Sequence, residues 1–137
     1  MKAFHVGPIG NTPDVFVESD DAGFCGILDN KAYKDGYSIS GDHKRRMTDE
    51  YIPNYQTYGN TSYPLAFFSY IAGTFGVNID RQLKEITDQT GVRGSAMPVD
   101  ILIDFAEDYE AKHRTHEDIR KLFSKGRLVK LSDLESI

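Results

Sequence analysis

Two short runs of strand-like sequence, separated by a cluster of turn formers, constrain this chain more than any other feature. In Pro13-Asp-Val-Phe-Val-Glu18, Val15 and Val17 fall on one side of an extended backbone, the pattern of a half-buried strand. Ser19-Asp-Asp-Ala-Gly23 is turn chemistry. Residues 24–31 read as a second strand, so the two form a hairpin. Folding it about the Asp21–Ala22 bond predicts a register: Glu18 opposite Cys25, Phe16 opposite Ile27, Asp14 opposite Asp29 and Thr12 opposite Lys31. A one-residue slip would separate these faces.

The remaining pattern alternates helices and strands. Residues 42–52 read as a charged helix with Met47 and Tyr51 four apart, stopped by Pro53. Pro64-Leu-Ala-Phe-Phe-Ser-Tyr-Ile-Ala72 is nearly continuous apolar sequence, which suits a strand covered on both faces. Asn78 is placed to cap a helix carrying Ile79, Leu83 and Ile86 on one stripe and closed by Gly91. Gly94 to Met97 is a short strand. Pro98 opens a helix to about Ala111 with Leu102, Phe105, Ala106 and Tyr109 inward. Thr115-His-Glu-Asp118 resembles a capping box for a last helix ended by Gly126. The expectation is a single α/β domain with a mixed sheet. No internal repeat, low-complexity tract or linker interrupts it.

Length and composition agree. At 137 residues, 39% hydrophobic and 27% charged, the chain suits one ordinary globular domain. No apolar run approaches the ~20 residues of a membrane span, and the first residues lack the long apolar stretch of a signal peptide. The single cysteine, Cys25, excludes an internal disulfide and a multi-cysteine zinc site. A cytoplasmic protein is expected. The net charge of −5 does not suit a chain that binds a polyanion over its whole surface, so any nucleic-acid footprint must be local.

Side chains two apart on a strand share a face, so Asp29 and Lys31 point together. In the predicted register Asp14 joins them. Two carboxylates directly opposed in a sheet repel, which a cation between them would relieve. Carboxylate oxygens suit Mg²⁺, which keeps several waters and also contacts substrate phosphate. Asp14 and Asp29 are therefore candidate metal ligands, with the Asn30 carbonyl as a backbone candidate beside them. Lys31 is placed to orient or deprotonate an attacking water, or to neutralise a phosphate. By spacing alone such a pattern arises by chance in about one chain in twenty, and a surface hairpin with solvated charges explains it as well. Asp42-His-Lys44 and Glu110-Ala-Lys112 repeat the spacing on helices, where residues two apart do not face together.

The wider sequence separates these readings. Pro-Asp followed by Asp-x-Lys is the signature of the PD-(D/E)xK nuclease superfamily. The stretch Gly26-Ile-Leu-Asp-Asn-Lys-Ala-Tyr-Lys-Asp-Gly-Tyr37 resembles the catalytic segment of FokI-type cleavage domains of type IIS restriction enzymes. The likeness extends through Tyr51 to Thr57, Phe68 to Phe75, Gln82-Leu83, Thr90 to Gly94, Val99 to Ile103 and Thr115 to Gly126. It implies a restriction-endonuclease-like mixed β-sheet flanked by helices, and a double-strand DNA cutter dependent on Mg²⁺, with Mn²⁺ as a substitute. Asp14, Asp29 and Lys31 match the family's metal and catalytic positions. The family also implies a separate recognition domain, helices before the first catalytic strand, and pairing of two copies during cleavage. That pairing uses opposite charges four apart on the helix after the lysine. Arg45 with Asp49 and Arg46 with Glu50 have this spacing, basic residue first; ordinary intrahelical pairs explain them too.

Lys34, Lys44, Arg45 and Arg46, with Lys31, are candidates for a phosphate track. Tyr33 and Tyr37 read as packing near the site. His5, His43, His113 and His116 read as surface histidines, and Cys25 as a small buried residue. Two alternatives stand beside the restriction-type nuclease: another nuclease of the superfamily, acting in repair or at junctions, and a catalytically idle interaction module on the same fold.

Overall fold

The computed structural model describes residues 1–7, 12–31, 35–59 and 62–137. Five strands stand side by side in chain order: β1 (Lys2–His5), β2 (Val15–Ser19), β3 (Phe24–Asn30), β4 (Leu65–Ala72) and β5 (Arg93–Pro98). β1, β2 and β3 pair antiparallel, whereas β3, β4 and β5 pair parallel. The sheet is mixed, as the sequence predicts.

The hairpin folds as its turn chemistry dictates. Gly23 takes φ +69°, where a side chain would be strained. The Ser19 hydroxyl accepts from the Ala22 N–H at 3.0 Å, and the Ser19 carbonyl accepts from the Gly23 N–H at 2.9 Å. The register follows, with Glu18 opposite Cys25 and Phe16 opposite Ile27. β1, which the sequence reading left unassigned, adds an edge strand with Phe4 beside Phe16. Its four residues carry too little alternation to be seen locally; pairing to β2 makes the strand.

Parallel neighbours need crossovers, and the two crossovers cover one face. Between β3 and β4 run α1 (Gly41–Arg45), a π-helical segment (Arg46–Tyr51) and α2 (Gln56–Gly59). Between β4 and β5 runs α3 (Ile79–Thr90). Their apolar residues Met47, Tyr51, Leu83 and Ile86 form one core with Phe16, Ile27, Phe68 and Tyr70. Ser40 caps α1, its hydroxyl accepting from the His43 N–H at 3.1 Å. The expected single helix over 42–52 widens at Ile52, whose N–H bonds the Met47 carbonyl five residues back at 3.1 Å. Met47 and Tyr51 are both buried all the same. Gly91 closes α3 at φ +76°, but Asn78 forms no side-chain cap.

The other face is covered by α4 (Val99–Asp108), α5 (His116–Phe123) and α6 (Leu131–Glu135). Here Val17, Phe24, Phe67 and Met97 pack on Ile101, Phe105, Leu122 and Phe123. The inward stripe of α4 differs from the sequence expectation. Ile101 and Phe105 are buried, Leu102 and Tyr109 sit half-buried at the margin, and Ala106 is exposed. Packing on the sheet sets the inward stripe on Ile101 and Phe105, one turn apart, and the helix ends at Asp108 rather than near Ala111. The Thr115–Asp118 capping box opens α5 as predicted. α6, unassigned in the sequence, is held by Asp133, whose carboxylate accepts from Arg127 Nη2 at 2.7 Å, Nη1 at 2.9 Å and the Lys130 N–H at 2.8 Å.

Both faces of β4 being packed, its aromatic rings need flat neighbours. A Cβ on Gly26 would lie 2.2 Å from the Phe67 ring, and one on Gly94 2.1 Å from the Phe68 ring. The two glycines let β4's phenylalanines lie across the adjoining strands.

Candidate active site

Asp14 immediately precedes β2, and Asp29 lies one residue before the end of β3. The antiparallel pairing of Val15 with Leu28 brings their carboxylates together. The Asn30 N–H donates to Asp14 Oδ2 at 2.8 Å, and the Asp14 N–H approaches Asp29 Oδ1 at 3.4 Å. Asp29 thus faces the main chain of Asp14, and Asp14 that of Asn30, the residue after Asp29. Lys31 continues the ladder past β3, its N–H donating to the Ile71 carbonyl at 2.7 Å. Its Nζ meets Asp29 Oδ2 at 2.9 Å. The three residues predicted to converge do so.

Asp29 is the most enclosed of them, only 4% exposed. Burial raises its carboxyl above the ordinary range; Lys31 pulls it down and the Asp14 charge pushes it up again. Asp29 pairs in register with Tyr70 on β4. Tyr70 packs against Tyr37, whose hydroxyl lies 2.8 Å from His43 Nδ1. Burial, then the Lys31 charge, hold the His43 imidazole below its usual range, with Asp29 opposing. Tyr51 is pushed up by burial and then by Asp29. His43, read from sequence as a surface histidine, is therefore a half-buried neighbour of the site. The signal was its position four residues before the buried Met47, on the same side of the helix.

The charged helix differs from expectation. Arg45 pairs with Asp42 and Glu50, both at 3.2 Å, and Arg46 with Asp42 at 3.2 Å. The predicted Arg45–Asp49 and Arg46–Glu50 pairs do not form: Asp42, in the first turn, sits within reach of both guanidinium groups. Asp49 is exposed and accepts from the Thr48 hydroxyl. Lys44 pairs with Glu85 at 3.4 Å. Lys34 and Tyr33 lie outside the described residues.

Two other constellations do not support chemistry. Cys25 is buried, its thiol pushed up to about 12 by burial and then Glu18, so it packs rather than attacks. Ser19, His116 and Asp21 cluster at the hairpin turn, but Ser19 Oγ at 2.8 Å and Asp21 Oδ2 at 3.5 Å both approach the same nitrogen, Nδ1. A relay needs the base and its orienting acid on opposite nitrogens.

Among the described residues no three His, Cys, Asp or Glu side chains converge as a closed metal cage. The Asp14–Asp29 pair nevertheless fits a hard divalent cation. Two carboxylates abut, one buried at a cost to its charged form, and a cation that keeps its own waters needs few protein ligands.

A family model described as FokI, cleavage domain, matches residues 1–130. The type II restriction enzyme StsI of Streptococcus sanguinis is 25% identical, over 85% of this chain and 21% of its own length. The restriction endonuclease FokI superposes with a TM-score of 0.74 at 21% identity, covering 88% of this chain and 24% of FokI. FokI bound to DNA superposes with a TM-score of 0.80 at 22% identity, covering 94% and 25%. At these identities the superpositions speak to the fold. The chain spans about a fifth to a quarter of the length of these relatives.

Proposed function

Because this chain belongs to the FokI cleavage-domain family, we propose that it is a divalent-metal-dependent endonuclease domain of the type IIS restriction kind, hydrolysing phosphodiester bonds of double-stranded DNA. The observation that carries the reading is the meeting of Asp14, Asp29 and Lys31 at the open end of the β2–β3 hairpin.

Asp14 and Asp29, with the main chain of Asn30, would hold Mg²⁺ or Mn²⁺. When bound, such a cation supplies positive charge against the phosphate oxygens. The residues themselves do the positioning. The Asn30 N–H fixes one oxygen of Asp14, and the buried Asp29 holds the Lys31 ammonium by one oxygen at 2.9 Å. Lys31 is thereby aimed at the phosphate and its attacking water, where it stabilises the growing negative charge. Water attacks phosphorus in line and gives up a proton to solvent, the P–O bond to the leaving strand breaks, and the departing oxygen takes up a proton in return. The Tyr70, Tyr37 and His43 layer closes the core side of Asp29 and keeps its carboxylate desolvated.

Sequence recognition belongs, in this reading, to a separate domain, and double-strand cutting to two copies paired during cleavage. The helical segment carrying Arg45, Arg46 and Asp49 is the candidate surface for that pairing. Lys44 and Arg45 are backbone-contact candidates, although both already hold ion pairs within the domain.

A supercoiled-plasmid assay with Mg²⁺, Mn²⁺ or EDTA tests the proposal. Nicked or linear product that needs metal and vanishes in Asp29→Ala supports it. Intact plasmid with both proteins, also after fusion to a recognition domain, refutes it and favours the idle module.

A further inference from the structure

The net charge of −5 conceals a strongly uneven distribution. Residues 99–110, α4 and its C-terminal turn, carry five acids (Asp100, Asp104, Glu107, Asp108, Glu110) and no base. The rest of the chain is therefore neutral, with 16 acids and 16 bases. Residues 120–130 carry five bases (Arg120, Lys121, Lys125, Arg127, Lys130) and no acid. Arg127 is spent on Asp133, and Arg120 on Glu117. Among the described residues, Lys121 and Lys125 have no ion-pair partner within 4.0 Å, and neither has Arg93 on β5.

These three cations meet in one recess of about 460 Å³, lined also by Arg120, which Glu117 already holds, and by Ala66, Ser124 and Ile137. Arg93 reaches it from the first residue of β5, Lys121 from the last turn of α5, and Lys125 from two residues past that helix. The convergence comes from two elements packed together, so it is not the charge run of a single solvated helix. Like charges gathered without partners cost free energy, and an anion recovers it.

The recess lies far from Asp29. Ala66 and Arg93 stand at the starts of β4 and β5, whereas Asp29 is level with Tyr70, four residues further along β4, or ~13 Å. α5 covers the opposite face of the sheet from Tyr70. We infer that Arg93, Lys121 and Lys125 form a second DNA-backbone site, seating a phosphate of duplex DNA on the face turned away from the cleavage residues. The inference rests on the nuclease reading for its choice of DNA over other polyanions. A domain whose overall charge repels DNA needs such a local site to hold the duplex beside the one it cuts, or a bent continuation of it.

Each phosphate contact contributes about 0.9 to the slope of log K against log salt. Fluorescence anisotropy of a labelled duplex, in EDTA and with Asp29→Ala throughout, reads that slope without cleavage. The triple variant Arg93→Ala, Lys121→Ala, Lys125→Ala is expected to lower the slope by roughly 2 to 3. Arg93→Lys, Lys121→Arg, Lys125→Arg should retain it. Lys2→Ala, Arg81→Ala, Lys84→Ala removes equal charge from cations already paired with Asp20, Glu85 and Asp88, and should leave the slope unchanged. An unchanged slope in the first variant, or an equal drop in the third, overturns the inference. The plasmid assay reports separately on cleavage, so failure of one reading is not mistaken for failure of the other.

Discussion

The main-chain N–H of Asn30 donates to Asp14 Oδ2 at 2.8 Å, so one acidic side chain is aligned by the backbone beside the other. Asp14→Asn keeps an acceptor oxygen for this bond but removes the charge. Metal-dependent cleavage should fall by at least about 100-fold, the scale of losing one preorganised electrostatic group. Stability should change by less than about 1 kcal/mol, because the hydrogen bond survives. Plasmid nicking and a thermal melt of the same preparation check both halves. A large loss of stability would make Asp14 a structural residue.

Asp29 gives a prediction with a sign. Burial raises its carboxyl above the unfolded value, so the folded state favours the protonated form. Its contribution to stability is present at low pH and is lost as pH rises through the folded value. In EDTA, Asp29→Asn should therefore gain melting temperature relative to wild type as pH climbs from the acid range to neutrality. Mg²⁺ should raise the melting temperature of wild type at neutral pH, by mass action on the folded state, and leave Asp29→Asn unmoved. A metal-independent melting temperature in wild type would remove the cation from the site.

Asp133 behaves oppositely. Bidentate contact with Arg127, aided by the Lys130 N–H, lowers its carboxyl to about 2. A depressed carboxyl stabilises the fold above the unfolded value and loses that stability as pH falls from about 4 to about 2. At 1.36 kcal/mol per pKa unit the shift is worth about 2 kcal/mol at most. Urea midpoints measured from pH 5 downward should drop through this window in wild type and more shallowly in Asp133→Asn. The Arg127–Asp133 pair anchors α6, so the same variant should loosen residues 131–137 in hydrogen exchange.

Gly26 shows how packing of the central strands reaches the site. A Cβ there would lie 2.2 Å from the Phe67 ring, three residues before Asp29. Gly26→Ala should cost roughly 1 to 3 kcal/mol, the usual range for overpacking. Cleavage should fall with it, because a displaced β3 carries Asp29 and Lys31 away from Asp14. A stable, fully active Gly26→Ala protein would show that Phe67 yields without moving the strand.

The meeting of Asp14, Asp29 and Lys31 was legible because a turn and an alternation fix register, and register places side chains. Five turn residues and two valines sufficed to put Phe16 opposite Ile27 and hence Asp14 beside Asp29. What failed depended on tertiary context. β1 exists because β2 offers it an edge, and α6 because Arg127 and Lys130 hold Asp133. The α4 stripe differs because Ile101 and Leu102 both stand a turn from Phe105, and only docking on the sheet decides that Ile101 goes in and Leu102 stays at the margin. Arg45 and Arg46 pair with Asp42, three and four residues back along the helix, rather than with the expected partners. His43 differs for a related reason: its polarity suggests solvent, while its spacing from Met47 points to the core.

Lys31 separates chemistry from architecture most cleanly. Its main chain bonds Ile71 whatever the side chain, so substitution leaves the end of β3 in place. Lys31→Met keeps most of the aliphatic stem and removes the ammonium. The turnover rate should fall by about 10²- to 10⁴-fold, the range for a positioned acid–base or charge-stabilising group, with DNA affinity nearly unchanged. Lys31→Arg keeps the charge and the contact to Asp29 but moves it outward, and should recover only part of the rate. Single-turnover cleavage at saturating protein, alongside anisotropy binding in Ca²⁺, divides the two effects. Equal losses of binding and rate would assign Lys31 to holding the phosphate; a loss confined to the rate would place it at the attacking water.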